Sequence, residues 1–216
     1  MFETARRAFG LPCACALLAC GSEDSGGSTG EVSCAESKIA IVTDIDETLT
    51  TSDAQFAMQL SDAAYDPLAR AAGPELMQGY AEHGFFILYL TARPEPWTLQ
   101  PTGETAHAAT DRWLTEHGFP RTRSELVLAP DVVVGDATRQ YKAGALQQHQ
   151  ASGYEFRYAY GNAQTDIDAY ADAGIDKLQT YTIGVLAGGG GTVAIAGEDF
   201  TQHAAEQLPK LSTVCR

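Results

Sequence analysis

The sequence predicts an α/β domain in which a parallel sheet is covered by helices on both faces. Three observations carry this. From residue 38 onward, short runs rich in β-branched and aromatic residues alternate with amphipathic stretches. Those stretches have recognisable helix ends, so strands and helices take turns along the chain. Finally, 216 residues, 44% hydrophobic and 19% charged, suit one domain with a real core and argue against disorder or a coiled coil.

The elements follow in order. Strands are expected over 39–43, 85–90, 126–129, 156–160 and 179–183. After the first strand, Asp66-Pro67 reads as N-cap and first helical position, and His83-Gly84 as the stop, with Gly73-Pro74 breaking the helix into two pieces. Ala106, Ala109, Trp113 and Leu114 form one apolar face of the next helix, which stops at His117-Gly118. Helices over 141–150 and 164–173 complete the alternation, the last ending at Gly174. The run Gly188 to Gly191 reads as a flexible loop, because no helix follows at phosphate-loop spacing.

Charge narrows the partners. Lys plus Arg is 14 against 28 Asp plus Glu, a formal charge of −14. A polyphosphate backbone would repel such a chain, so no nucleic-acid partner is expected. An anionic membrane would not hold it by charge either, and no apolar run reaches the ~18 residues of a spanning helix.

The N-terminus offers another attachment. Arg6 and Arg7 precede a small, apolar stretch that ends in Leu17-Leu18-Ala19-Cys20-Gly21. This resembles the lipobox of bacterial lipoproteins, which implies a signal peptide over 1–19, a lipidated Cys20 and a flexible linker over 20–33, with the domain occupying 34–216. The implied location is the bacterial cell envelope, as a lipoprotein of the periplasm or outer membrane. In that oxidising compartment Cys34 and Cys215, the pair left flanking the domain, suggest a disulfide; in a cytosolic protein they would be independent thiols. The five histidines, His83, His107, His117, His149 and His203, are scattered and read as solvated.

Ligands in parallel sheets bind beyond the carboxyl ends of the strands, where neighbouring connections run in opposite directions. Polar residues stand at those places. The first strand runs into Asp44-Ile45-Asp46-Glu47-Thr48, which crowds carboxylates unless a cation or a reacting phosphoryl group compensates them. The second is followed by Thr91-Ala92-Arg93-Pro94, where a hydroxyl and a backbone amide can donate to phosphate. After the third, Tyr141-Lys142-Ala143-Gly144 opens a helix whose Lys142 can reach the same anion. The fourth ends in Gly161-Asn162-Ala163-Gln164-Thr165-Asp166, and Asn162 and Asp166 are hard oxygen ligands of the kind Mg²⁺ prefers. Asp168 is expected to face outward.

The order DxDxT, Thr, Lys, GNxxxD is similar to that of the haloacid dehalogenase superfamily. Within it, residues 38–185 resemble lipin-type phosphatidate phosphatases and, more closely, the C-terminal domain of membrane-associated phosphatidylinositol transfer proteins. The stretches IVTDIDETLTTSD, DPLARAAGPELMQGYAEHGFFILYLTARP, WLTEHGFP, RQYKAGAL and YAYGNAQTDIDAYADAGI, followed by TYTIG, carry the likeness. It implies a Rossmann-like sheet in the order 5-4-1-2-3, with little or no cap domain.

The resemblance also implies roles. Asp44 is the nucleophile that forms an aspartyl-phosphate, and Asp46 the acid and base. Thr91 and Lys142 hold the phosphoryl group, and Thr48 supports the motif. Asp44, Asp46, Asn162 and Asp166 surround Mg²⁺. Glu47 departs from the pattern, since lipins and their relatives usually carry glycine there. The function implied is Mg²⁺-dependent hydrolysis of a phosphomonoester, phosphatidate or a related lipid phosphate among the candidates. The partners are then that substrate and, through Cys20, a membrane, with no protein partner. The alternative is a non-catalytic phosphatidate-sensing module of the transfer-protein type. Residues 95–109 could form a lid loop.

Overall fold

The run Ile-Ala-Ile-Val-Thr becomes strand β1 (Ile39–Thr43), and four of its five residues are buried because both faces of the strand are covered. The computed structural model describes residues 34–215. They lie in one compact unit. Strands β2 (Phe86–Pro94), β3 (Ser124–Ala129), β4 (Glu155–Gly161), β5 (Thr180–Thr182) and β6 (Val193–Ala194) join β1 in a wholly parallel sheet of order β3-β2-β1-β4-β5-β6. This is the expected order with one further edge strand. Two residues after a glycine run are too short to read as β6 from periodicity.

Alternate strand residues separate two cores. Ile41, Ile87, Tyr89, Tyr160 and Tyr181 face α1 (Ala54–Ser61), α2 (Gly73–Glu82), α3 (Ala106–Glu116) and α6 (Thr201–Gln207). Ala40, Val42, Leu88, Leu90 and Ala159 face α4 (Asp136–Ala151) and α5 (Gln164–Asp172). No separate cap body interrupts the described residues. Among them, no helix is long and apolar enough to cross a membrane. The signal-peptide and Cys20 expectations fall outside the described residues.

Strand limits shift by up to four residues and α6 adds a helix that was not expected; the other differences have physical reasons. Residues 66–72 are not helical. Thr50 and Ala69 form an antiparallel bridge, and the Trp113 indole donates to the Pro67 carbonyl at 2.7 Å, so tertiary pairing holds this segment extended. Gly73-Pro74 therefore opens α2 instead of breaking a longer helix, with proline in the first turn where its missing N–H costs nothing. Helix α1 was not expected at all; its eight residues bury Gln55, Phe56 and Gln59, a weakly apolar face. Helix α4 starts at Asp136, placing Lys142 in its second turn and not at its opening. Residues 95–105 form a loop pinned by a Thr98–Thr105 bridge and a fully buried Leu99, and 106–109 already belong to α3.

Cys34 and Cys215 are joined in a disulfide across 181 residues. Closing so long a loop restricts the unfolded chain, which is worth about 2–5 kcal/mol. It ties the first described residue to the turn after α2, where the Val214 amide donates to the His83 carbonyl at 2.9 Å.

Candidate active site

The chain passes from β1 to β2 to β3 on one side and returns to place β4 against β1 on the other, so connections diverge between β1 and β4. The amide of Asp44 donates to the Tyr160 carbonyl at 3.0 Å, which fixes the end of β1 against β4 there. A cleft of about 130 Å³ opens at this point, lined by Asp44, Asp46, Asp53, Lys142, Asn162 and Asp166 among others.

Lys142 is at the centre. Its ammonium donates to Asp44 Oδ1 and to Asp166 Oδ1, both at 2.6 Å, and all three side chains are almost wholly buried. The other oxygen of Asp44 accepts from the Thr48 hydroxyl at 3.1 Å, and the same hydroxyl lies 3.0 Å from the amide oxygen of Asn162. Asp166 Oδ2 accepts from the backbone amides of Asn162 and Ala163 at 3.1 and 3.0 Å, a capping arrangement at the start of α5. Gly161 is required beside it, because a Cβ there would lie 2.6 Å from the Asp166 Cβ.

One ammonium shared by two carboxylates leaves a deficit. Burial, together with the charges of Asp166 and Asp46, pushes the Asp44 carboxyl up to about 7 although Lys142 pulls the other way. Lys142 remains protonated, because its two carboxylate partners outweigh the burial that disfavours its charge. Burial, then Glu47 and Asp46, raises Asp53 as well.

Asp46 is differently placed. The guanidinium of Arg93, itself buried, grips both of its oxygens, with Nη2 at 2.8 Å from Oδ1 and Nε at 2.9 Å from Oδ2. Arg93 is fixed in turn by Thr110 Oγ1 at 2.8 Å and by the Phe56 ring, whose centroid lies 4.3 Å from the guanidinium carbon. Thr91 donates its hydroxyl to Asp46 Oδ2 at 3.2 Å and accepts the Arg93 amide. That hydroxyl is wholly buried and already engaged, so it is Ala92, one residue on, that lines the cleft.

Glu47 has φ 57, the left-handed conformation that glycine adopts without cost. Its side chain accepts from the Asn162 amide at 3.2 Å, and its carbonyl is held by Arg70 at 3.0 Å.

Asp44, Thr48, Lys142, Asn162 and Asp166 are thus brought together. Asp46 and Thr91 stand beside them, joined to Arg93. Sequence reasoning missed Arg93, Asp53 and Thr138. Thr138 had a signal: it precedes Lys142 by four residues, which puts both on one helix face, and both line the cleft. Asp168 lies outside the cleft and pairs with Gln164 at 2.9 Å. His203 is only partly exposed. Its Nε2 lies 3.0 Å from the Tyr160 hydroxyl, in a buried network with Tyr80, Gln207 and Tyr181.

Among the described residues, no three acidic, histidine or cysteine side chains converge as a metal cage. The donors present are the Asp44 carboxylate and the Asn162 amide oxygen, with Asp166 turned to Lys142. The charge balance does suit a cation. Asp44, Asp46, Glu47, Asp53 and Asp166 gather here against the side-chain cations of Lys142 and Arg93.

Comparison with known proteins gives three findings. A family profile described as PITM 1-3, LNS2 domain, matches residues 41–184. Membrane-associated phosphatidylinositol transfer protein 3 of Mus musculus is 26% identical over 156 residues, covering 72% of this chain and 15% of the relative. Protein 1 of Rattus norvegicus is 30% identical over 133 residues, 61% of this chain and 10% of the relative. The chain thus spans only about a seventh or less of these relatives. Among solved structures, D,D-heptose 1.7-bisphosphate phosphatase from B. bronchiseptica, complexed with magnesium and phosphate, aligns over 80% of this chain and 99% of its own. Its TM-score is 0.53 at 13% identity, a likeness of fold.

Proposed function

Since the chain belongs to the LNS2 domain family of the PITM 1-3 proteins, with a fold of the haloacid dehalogenase type, we propose that it hydrolyses a phosphomonoester with the help of a divalent cation. The observation that carries this reading is Asp44, held at the β1–β4 divergence by Lys142 on one oxygen and Thr48 on the other. A module that only binds phosphate would use that carboxylate to hold a cation, whereas a hydrolase also needs it to attack phosphorus.

In this reading Asp44 attacks phosphorus, and the bond from phosphorus to the leaving oxygen breaks. Asp46 gives that oxygen a proton, for which one of its two contacts to Arg93 must open. Asp46 then takes a proton from the water that cleaves the aspartyl-phosphate, releasing phosphate and restoring Asp44. Lys142 is positioned to stabilise charge on the transferring group. Asp44 and Asn162 are the residues that would hold Mg²⁺, with the Asp46 backbone carbonyl and Asp166 completing the family's set. When bound, the ion favours the carboxylate form of Asp44 and offsets repulsion between two anions. Phosphatidate or a related lipid phosphate is the substrate class proposed from the family. Tethering through a lipid at Cys20 in the cell envelope is proposed from the sequence.

A phosphatidate-sensing module without turnover is the second reading, favoured by the closed pair between Arg93 and Asp46. Phosphate release with and without Mg²⁺ separates the two, measured on phosphatidate in mixed micelles and on soluble esters. Turnover that needs Mg²⁺ and disappears in Asp44→Asn supports the hydrolase. No release from any ester, with phosphatidate binding retained, supports the sensor.

A further inference from the structure

Resemblance gives the hydroxyl at the phosphoryl group to Thr91, but the fold commits that hydroxyl elsewhere. Thr91 donates to Asp46 Oδ2 and accepts the Arg93 amide, and its side chain is wholly buried. Other donors around the cleft are committed too. Lys142 gives two of its three N–H bonds to Asp44 and Asp166. The backbone amides of Asn162 and Ala163 both donate to Asp166, and the Asn162 side-chain amide donates to Glu47. Thr138 differs. It lines the cleft, it is only 8% exposed, and its hydroxyl has no hydrogen-bond partner among the described residues. A hydroxyl buried without a partner carries a cost that valine, of the same shape, avoids. Thr165 lines the cleft as well, but it is half-buried, so water can satisfy its hydroxyl.

We propose that Thr138 is a phosphate-binding residue, donating its hydroxyl to a non-bridging oxygen of the phosphoryl group beside Lys142. The proposal rests on the reading of the cleft as a phosphate site and adds a residue to it. Thr138 stands on α4 one turn before Lys142, so the two lie on one helix face with Cβ atoms about 5–6 Å apart. Helical side chains lean toward the helix N-terminus, which carries the Lys142 ammonium back over the turn of Thr138. Hydroxyl and ammonium therefore face the same small volume, about 130 Å³, that Asp44 also lines. An anionic oxygen there turns an unmet hydroxyl into a charge-assisted hydrogen bond, the stronger kind. Thr91 is left as a positioning residue, whose hydroxyl holds Asp46 and the Arg93 turn.

The test reads calorimetric binding of inorganic phosphate to the full chain with Mg²⁺ present, and thermal unfolding without phosphate. Thr138→Val keeps the shape and removes the hydroxyl. It should bind phosphate about tenfold more weakly or worse, the effect of one hydrogen bond to a charged group. Its melting temperature should equal or exceed the parent's, which a hydroxyl kept for the fold would not allow. Thr138→Ser should bind phosphate within about threefold of the parent. Tyr141→Phe removes a buried hydroxyl that also lacks a partner but does not line the cleft, and should bind like the parent. Equal affinity in the parent and Thr138→Val overturns the proposal, as does a lower melting temperature of that variant. So does an equal loss in Thr138→Ser or Tyr141→Phe, phosphate binding lost in Thr91→Val alone, or no phosphate binding by the parent. Turnover is read separately. Phosphate binding that depends on Thr138, without release from any ester, sinks the hydrolase and keeps this assignment; turnover with KM and phosphate affinity unchanged in Thr138→Val does the reverse.

Discussion

Replacing Lys142 by methionine tests the charge balance of the site without requiring turnover. The side chain keeps its length and loses the ammonium that lies 2.6 Å from both Asp44 and Asp166. Removing one partner of a buried ion pair costs about 3–5 kcal/mol, because the other charge is left uncompensated. Asp166 keeps its two backbone donors, so the loss falls mainly on Asp44. Asp44 can limit it by taking a proton. Its carboxyl is already pushed to about 7 in the folded chain, against 3.8 ordinarily. Between those values the folded chain holds a proton that the unfolded chain has lost, so this group's contribution is complete below about pH 4 and disappears as pH rises through 7. Losing Lys142 pushes Asp44 further up and carries that fall on to higher pH. Lys142→Met should therefore unfold roughly 6–20 °C lower at pH 8, at about 2–4 °C per kcal/mol. At pH 5.5, with Asp44 protonated, the gap should be clearly smaller. Thermal unfolding followed by circular dichroism measures both. A loss under about 1 kcal/mol at pH 8, or one equal at the two pH values, refutes the picture of one lysine shared by two buried carboxylates.

Other outcomes follow from the same geometry. Burial pushes the His203 ring down to about 4, with Lys210 adding to this and Glu206 opposing it. Below about pH 6.5 the unfolded chain binds a proton that the folded chain refuses, so stability falls from there towards pH 4. After allowance for the ring's partial exposure this is about 1–2 kcal/mol; urea unfolding of His203→Gln should show a flatter acid limb, while Asp44 tilts the same window the other way. Arg93→Lys keeps a charge but loses the two-pronged grip on Asp46 and the contact to Thr110. Turnover should drop by about 100-fold with the substrate KM changed far less, and an unchanged turnover number would remove Arg93 from the mechanism. Glu47→Gly relieves the left-handed strain at φ 57 and should stabilise the chain by about 1 kcal/mol in chemical denaturation; a loss would mean that the Asn162–Glu47 hydrogen bond outweighs the strain.

The sheet was readable because each strand is a short apolar run bounded by turn residues, and β1 was expected at its observed limits, Ile39–Thr43. The order of the strands came from resemblance, since periodicity carries no information about neighbours. Errors gathered where tertiary contacts override local preference. Asp66-Pro67 has the form of a helix start, yet Trp113 and Thr50 hold the segment extended. Asp44, Lys142, Asn162 and Asp166 were legible because each follows a strand on the same edge. Arg93 was not, although its number was in view beside Thr91, because an arginine after a strand gives no sign of whether it meets solvent, phosphate or a carboxylate. Only the fold brings Asp46, Phe56 and Thr110 around it. His203 was misread for the same reason: a histidine on a short polar helix looks solvated until Tyr160 is found beneath it.

The electrostatics of the cleft bear on both readings of the protein. A site built only to bind a phosphate ester would be expected to present more donors and cations than acids. Here Asp44, Asp46, Glu47, Asp53 and Asp166 gather, Lys142 is consumed by two of them, and Arg93 is consumed by Asp46. Without a further positive charge the cleft repels the anion it is proposed to receive. A divalent cation is thus needed for a phosphatidate sensor as much as for a hydrolase, and Mg²⁺ dependence of binding alone cannot tell them apart. The distinction lies with Asp46. If its grip on Arg93 opens when an ester binds, a proton can reach the leaving oxygen and the aspartyl-phosphate forms. If the grip persists, Asp44 faces a leaving group it cannot expel, and the same cleft holds its ligand intact. Leaving-group dependence reads this directly: aryl esters that need no protonation should turn over in either case, alkyl esters only if Asp46 is released.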